Sequence, residues 1–170
     1  MNSRPKTTPI KHLVEMNIRP SLLDRLTDET AHVNRFSLNQ LLESIRRDLE
    51  NLINTPRTPL KVGAGFKQIH SSILNFGIYD ISSISGSDRQ VWESVILDVE
   101  RAIETFEPRL RNVRVLLRNV KLGKPSQVEF EIHGLLKFEP SPTLVFQSAM
   151  QFSSGRTLVD FPELNDTVDQ

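Results

Sequence analysis

Residues 87–120 read SDRQVWESVILDVERAIETFEPRLRNVRVLLRNV, and the spacing of apolar residues changes inside this one stretch. Up to Phe106, the residues Val91, Trp92, Val95, Ile96, Val99, Ala102, Ile103 and Phe106 recur at three- and four-residue intervals. That is the spacing of a helix with one face against a core. Ser87 followed by Gln90 is a capping-box pair suited to open it. Pro108 closes it, because a proline pushes the preceding residue, here Glu107, out of the helical region. From Val113 the period falls to two, with Val113, Val115 and Leu117 alternating with Arg114, Leu116 and Arg118. A half-buried strand therefore follows the helix directly.

Working toward the N-terminus, Leu38, Leu41, Leu42, Ile45, Leu49, Leu52 and Ile53 share one helical face over residues 38–53. Ser37 with Gln40 caps that helix, Glu43 and Arg47 stand four apart in the favourable order, and Asn54-Thr55-Pro56 stops it. Lys67 to Phe76 reads as a shorter helix carrying Ile69, Ile73 and Phe76, with Gly77 suited to a left-handed terminal position. Ser21 to Leu26 reads as one helical turn, and residues 1–20, broken by Pro5, Pro9 and Pro20, as an arm.

Toward the C-terminus, Val128, Phe130, Ile132, Leu136 and Phe138 alternate with polar residues; Leu144, Phe146, Met150 and Phe152 continue the pattern, and Leu158 marks a short fourth strand. The expected fold is α+β, with helices in the N-terminal two-thirds packed on one face of a C-terminal antiparallel meander. A turn at Leu122–Pro125 would set Leu117 opposite Phe130 and Arg118 opposite Glu129. A turn over 139–143 would set Phe138 opposite Leu144 and Phe130 opposite Phe152. Both registers keep the apolar side chains on one face. The expected organisation is a flexible arm over 1–20, a single domain over 21–162 and an acidic tail over 163–170.

The chain has 170 residues, 38% of them hydrophobic, with 21 Lys+Arg against 21 Asp+Glu. That supports a core without a metal or disulfide staple and excludes a polyanion-coating protein. Cysteine is absent, which removes disulfides, thiolate nucleophiles and Cys-ligated metal sites. The first twenty residues lack the apolar stretch of a signal peptide, and no apolar run approaches the roughly 20 residues that span a bilayer. A soluble, cytoplasmic protein is expected. The charge cancels only globally: residues 88–107 are mostly acidic, 109–124 carry Arg and Lys without a single acid, and the last thirty are acidic again.

Catalytic and cofactor chemistry finds little footing. His12, His32, His70 and His133 have no HxH or HExxH spacing, so no metal site is expected. Gly63-Ala64-Gly65 lacks the third glycine of a dinucleotide fingerprint, Gln68 standing there, and no cofactor is expected. Glu93, Asp98, Glu100 and Glu104 fall on the polar side of the long helix, where a solvated face explains them better than a glycosidase pair. The basic run 109–124 has no aromatic residue for base stacking, which argues against nucleic acid. Pairing of Arg114 and Arg118 with Glu129 and Glu131 across the strands is the simpler account. Glu107-Pro108-Arg109 admits two readings: a helix stop with solvated charges, or a charge pair beside a rigid proline pre-organised for docking. The residues alone leave both open.

Four stretches occur in order: Ser21-Leu22-Leu23-Asp24-Arg25-Leu26, the helix Leu41 to Asn54, Ser72-Ile73-Leu74-Asn75-Phe76-Gly77-Ile78, and Phe106-Glu107-Pro108-Arg109-Leu110. Together they resemble the TssE family, small baseplate subunits of the type VI secretion system that are similar to a wedge protein of contractile phage tails. The resemblance covers roughly residues 21–155, with Tyr79 where the family's Gly-x-Pro-Asp loop has proline. It implies a non-enzymatic subunit assembling with TssF and TssG, with TssK and the sheath proteins TssB and TssC as further neighbours, in a cytoplasmic baseplate docked at the inner membrane. It implies partner contacts through Glu107, Pro108 and Arg109, and a sheet edge that seeds the sheath, at residues 112–120 or near Leu158. Members have been labelled lysozyme-related, yet no catalytic carboxylate pair can be assembled here. A small regulatory binding module and a peptidoglycan-cleaving enzyme are the competing readings.

Overall fold

A computed structural model of the protein describes residues 26, 37–59, 65–80, 89–121, 127–137, 142–151 and 154–165. The chain divides into two compact units, residues 1–44 and 45–170, with the division inside the first long helix. That helix, α1, spans Leu38–Ile53, the limits the apolar spacing predicts.

In the first unit, Leu26 is helical and exposed, and the rest of the Ser21–Leu26 turn lies outside the described residues, as does the arm. Ser37 and Gln40 form the expected capping box: the Ser37 backbone N–H donates to Gln40 Oε1 at 2.8 Å, and the Gln40 N–H to Ser37 Oγ at 3.3 Å. Leu38, Leu41 and Leu42 are buried.

In the second unit, Ile45, Leu49, Leu52 and Ile53 of α1 are buried. The expected helix over 67–76 is instead two 3-10 turns, Lys67–Ser71 and Ile73–Asn75, separated by an extended Ser72. Ser71 and Ser72 hydroxyls bond back to the carbonyls of Gln68 and Ile69, competing with helix formation. The apolar stripe is not buried either, since Ile73 is 85% exposed. A segment this short cannot hold an α-helix without a packed face. Gly77 has φ +103°, and a Cβ there would sit 2.2 Å from the Thr55 carbonyl oxygen. Only glycine lets Ile78 N–H reach that carbonyl (3.0 Å) while Arg57 N–H reaches the carbonyl of Ile78 (2.7 Å).

Helix α2 spans Arg89–Phe106; the predicted Ser87 cap lies outside the described residues. Trp92, Val95, Ile96, Val99, Ala102 and Ile103 are buried as predicted, while Val91 is partly exposed. Phe106 meets Phe76 edge to face, ring centroids 5.3 Å apart. An antiparallel sheet follows: β1 Leu110–Lys121, β2 Gln127–Leu136, β3 Thr143–Gln151, β4 Thr157–Val159 and β5 Glu163–Asn165. The order is β1-β2-β3-β4, with β5 also pairing with β3. Burial alternates along β2, and Val128, Phe130, Ile132 and Leu136 share the buried face with Leu144, Phe146 and Met150.

Leu117 faces Phe130 as expected, but a bulge places Asn119, not Arg118, opposite Glu129. Between β2 and β3 the expected register is wrong by four residues: Leu144 faces Gly134 and Phe130 faces Ser148. Phe138 and Phe152 lie outside the described residues. An even slip leaves every apolar side chain on the same face, so alternation alone cannot choose between these registers. Leu158 points outward, 47% exposed, and Thr157 and Val159 are the buried members of β4. β4 and β5 run consecutively along β3, offset by one residue at Phe161-Pro162, so they form one bulged edge strand that enters the segment expected to be a tail.

Candidate functional site

Glu107 and Arg109 flank the junction between α2 and β1. The Glu107 N–H closes the last turn of α2 on Ile103 O at 2.8 Å, and the Leu110 N–H, opening β1, donates to Glu107 O at 3.2 Å. Helix end and strand start are thus continuous, which keeps the loop to a single tight turn. Pro108, at its apex, is exposed.

The carboxylate of Glu107 is buried, 3% exposed for the whole residue, and it turns inward to meet Arg109. Arg109 Nε donates to Glu107 Oε1 at 2.7 Å, Nη2 donates to Oε2, and the Arg109 backbone N–H adds a bond to Oε1 at 3.1 Å. Nη2 also donates to Asp48 Oδ2 of α1 at 2.6 Å. The Lys137 N–H, just past β2, reaches Arg109 O at 2.9 Å. One arginine thereby ties together α1, the end of α2, the start of β1 and the end of β2. Burial works against the charged guanidinium, but the bonds and fields of Glu107 and then Asp48 outweigh it and hold Arg109 above its ordinary pKa. The fork geometry of arginine suits this two-carboxylate grip, which lysine could not reproduce. The charges beside Pro108 are therefore not simply solvated, and the motif is first an internal clamp.

Two arginines of the basic block are paired: Arg118 across the strands, with one of the expected glutamates, and Arg114 with a glutamate of α2 instead. Arg118 pairs with Glu131 across the strands, and Glu131 further accepts from Gln147 Nε2 at 3.2 Å and lies 3.0 Å from His133 Nε2. The Arg118 hydrogen bond, supported by the other two donors, holds Glu131 down at a pKa of about 2. Arg114 turns away from the sheet to Glu100 of α2 at 3.0 Å. Elsewhere, Asp98 takes the Arg57 guanidinium and the Tyr79 N–H (2.9 Å), bordering a shallow cleft of about 220 Å³ lined by Ile53, Asn54, Pro56, Ile78, Tyr79, Asp80, Ser154 and Gly155. Among the described residues no group of three or more His, Cys, Asp or Glu is placed to hold a metal ion. No described helix is long and apolar enough to cross a membrane.

The family model for baseplate wedge protein gp25 matches residues 39–141, most of α1 through the end of β2. The chain belongs to this family. Comparison with curated proteins and with solved structures found no match. The span shared with the gp25 family contains Asp48, Glu107 and Arg109, so the clamp lies wholly within it, whereas β3, β4 and β5 lie beyond. A gp25-family chain is a structural part of a baseplate that assembles with other baseplate subunits.

Sequence reading singles out Glu107, Pro108 and Arg109 but misses Asp48, Arg46, Asn54 and Glu100. Asp48 stands 61 positions from Arg109, and no local pattern joins them. Asn54 reads only as a helix stop. Glu100 reads as part of a solvated face, although its side chain is only 14% exposed.

Proposed function

We propose that this gp25-family chain is the TssE-type subunit of a type VI secretion baseplate, a non-enzymatic building block held in the wedge with TssF and TssG. TssK and the sheath proteins TssB and TssC are its further neighbours, and the assembly lies in the cytoplasm against the inner membrane. The order of the sequence blocks and the family match support the baseplate role. The observation that carries the partner reading is the clamp: Glu107 and Asp48 hold Arg109 so that exposed Pro108 sits on a turn with little freedom left to lose. Fixing a contact loop in advance lowers the entropic cost of docking.

Co-purification of the full chain with TssF and TssG tests the proposal. A stoichiometric complex with the wild type, weakened by Pro108→Glu with Tm lowered by no more than about 3 °C, is the expected result. Capture of a single unrelated protein with no baseplate subunit would favour a regulatory adaptor, and turnover of cell-wall glycan would overturn the non-enzymatic assignment.

A further inference from the structure

Where β4 runs into β5, the backbone is closed and the side chains are open. Arg156 O and Asp160 N–H bond to β3, so the backbone of Thr157 and Val159 faces outward. Helix α1 engages those groups. Asn54 Nδ2 donates to Thr157 O at 2.9 Å, Thr157 N–H donates to Asn54 Oδ1 at 2.7 Å, and Arg46 Nη1 donates to Val159 O at 3.1 Å. A carboxamide carries the same donor and acceptor as a peptide unit, so Asn54 stands in for a neighbouring strand. Glu100 of α2 plays a similar part in β1, where its Oε2 accepts the Val115 N–H at 2.9 Å. A partner at β4 must therefore work through side chains.

The bulge decides which side chains those are. Continued from β4, the register sets Asp160 opposite Gln147; continued back from β5, it sets Phe161 there. Both residues are exposed. Without the extra residue Phe161 would take the core-facing place opposite Phe146 that buried Pro162 fills. Instead Phe161 is 47% exposed, as is Leu158, which stands on the outer face opposite Ala149. Two strand positions, about 7 Å, separate the two side chains. Exposed Glu163 follows opposite Val145, and exposed Arg156 precedes Leu158 on the same face. Among the described residues no ion pair engages Asp160, Glu163 or Arg156. The strip thus has a cation at one end, two apolar groups in the middle and two carboxylates toward the other end.

We infer that this strip, Leu158 to Glu163, docks an amphipathic helix of another protein, with an apolar stripe on Leu158 and Phe161 and with Lys or Arg against Asp160 and Glu163. The separation of Leu158 and Phe161 is close to the roughly 6 Å between side chains one turn apart on a helix. An extended segment would find no main-chain partners at Thr157 and Val159, which removes the main source of strand-addition affinity. The carboxylates repel an acidic helix and select a basic one, and Arg156 fixes its direction. A second copy does not supply that helix, because exposed Leu97 of α2 is flanked by Glu93 and Glu104. The strip shares no residue with the Pro108 turn and lies beyond the span 39–141 matched by the family model.

The probe is a helical peptide of leucine and lysine, about 18 residues long, with leucines at every third or fourth position, titrated into the isotope-labelled full chain. Controls carry glutamate for lysine, the same residues in scrambled order, or an extended valine–lysine alternation. Amide shifts confined to residues 145–149 and 156–163 are expected, with binding about tenfold weaker for the glutamate peptide and for Phe161→Ala. Glu163→Lys should weaken binding and Arg156→Glu tighten it; both positions are exposed, so these variants read the contact without disturbing the core. Shifts centred on other elements, equal binding of the glutamate or scrambled peptide, or tighter binding of the valine–lysine strand would each overturn the assignment. So would binding unchanged by Glu163→Lys, or no binding at millimolar concentration. A dimer of the chain alone that Phe161→Ala dissociates would give the strip to a second copy and overturn it as well. Co-purification with TssF and TssG is scored separately, and its failure overturns the baseplate role while leaving the peptide result standing.

Discussion

Neutralising Glu107 and neutralising Arg109 should have unequal costs, with the arginine the dearer loss. Glu107 is 3% exposed, whereas the side chains of Arg109 and Asp48 are 23% and 32% exposed. Arg109→Met strands a buried carboxylate without its cation, a change worth about 3–5 kcal/mol. Glu107→Gln keeps an acceptor for Nε and leaves the guanidinium with Asp48 and water, so its cost is about 1–2 kcal/mol. In the double variant no buried charge remains uncompensated, and about 1–3 kcal/mol of the summed loss should be recovered as coupling. At roughly 3 °C per kcal/mol for a chain of this size, Arg109→Met should lower Tm by about 10 °C. Urea denaturation of the full cycle, compared at constant m, measures each step. Equal costs for the single variants, or strict additivity in the double, would refute the clamp.

The remaining expectations concern the sheet edge, a turn and acid stability. Asn54→Ala removes both bonds to the Thr157 backbone and should cost about 1–3 kcal/mol, with hydrogen exchange accelerated at Thr157 and Val159 and unchanged in β2. Gly77→Ala meets the Thr55 carbonyl at 2.2 Å in addition to an unfavourable φ, so a loss of about 2–4 kcal/mol is expected in thermal melts. Glu131, held at about 2, contributes stability that is complete above the unfolded carboxylate value of about 4.3 and is lost as pH falls from there through 2. Glu131→Gln should flatten the stability curve across that window, and added salt should do so partially, because Arg118 is half exposed.

The elements with strong periodicity were legible because burial itself writes the period. Leu38 to Ile53 and the switch from helix to strand around Pro108 could be placed from apolar spacing alone. The register of β2 against β3 could not, since a slip of four residues preserves alternation and the turn residues carried too little information to fix the loop length. The segment 67–76 failed for a different reason: its apolar spacing is helical, but Ile73 is left exposed among the described residues and two serine hydroxyls bond back to the backbone. At the candidate site the tripeptide was visible and its geometry was not. A charge pair two residues apart looks solvated until the fold brings Asp48 to it, and a glutamate on a polar helix face looks ordinary until a strand N–H arrives beside it.

The clamp changes how a loss of assembly at Glu107 or Arg109 must be read. Substituting either residue disturbs the junction of α2 and β1 before it touches any partner, so absent complex formation follows equally from a lost contact and from a loosened fold. Pro108 separates the two, because its ring is exposed and none of the clamp bonds runs through its side chain. Replacing it with alanine should cost only about 0.5–1 kcal/mol through the freer unfolded chain. If the motif serves docking, Pro108→Glu weakens the complex while the clamp cycle retains its coupling. If it serves only the fold, complex formation across the Arg109, Glu107 and Asp48 variants tracks their stability and Pro108→Glu is silent. Helix α1 sharpens the comparison: Asp48 reaches the clamp while Arg46 and Asn54 reach β4. Asn54→Ala then controls for destabilisation of similar size that leaves the clamp bonds untouched, and a complex surviving Asn54→Ala but not Pro108→Glu would place the contact at the proline.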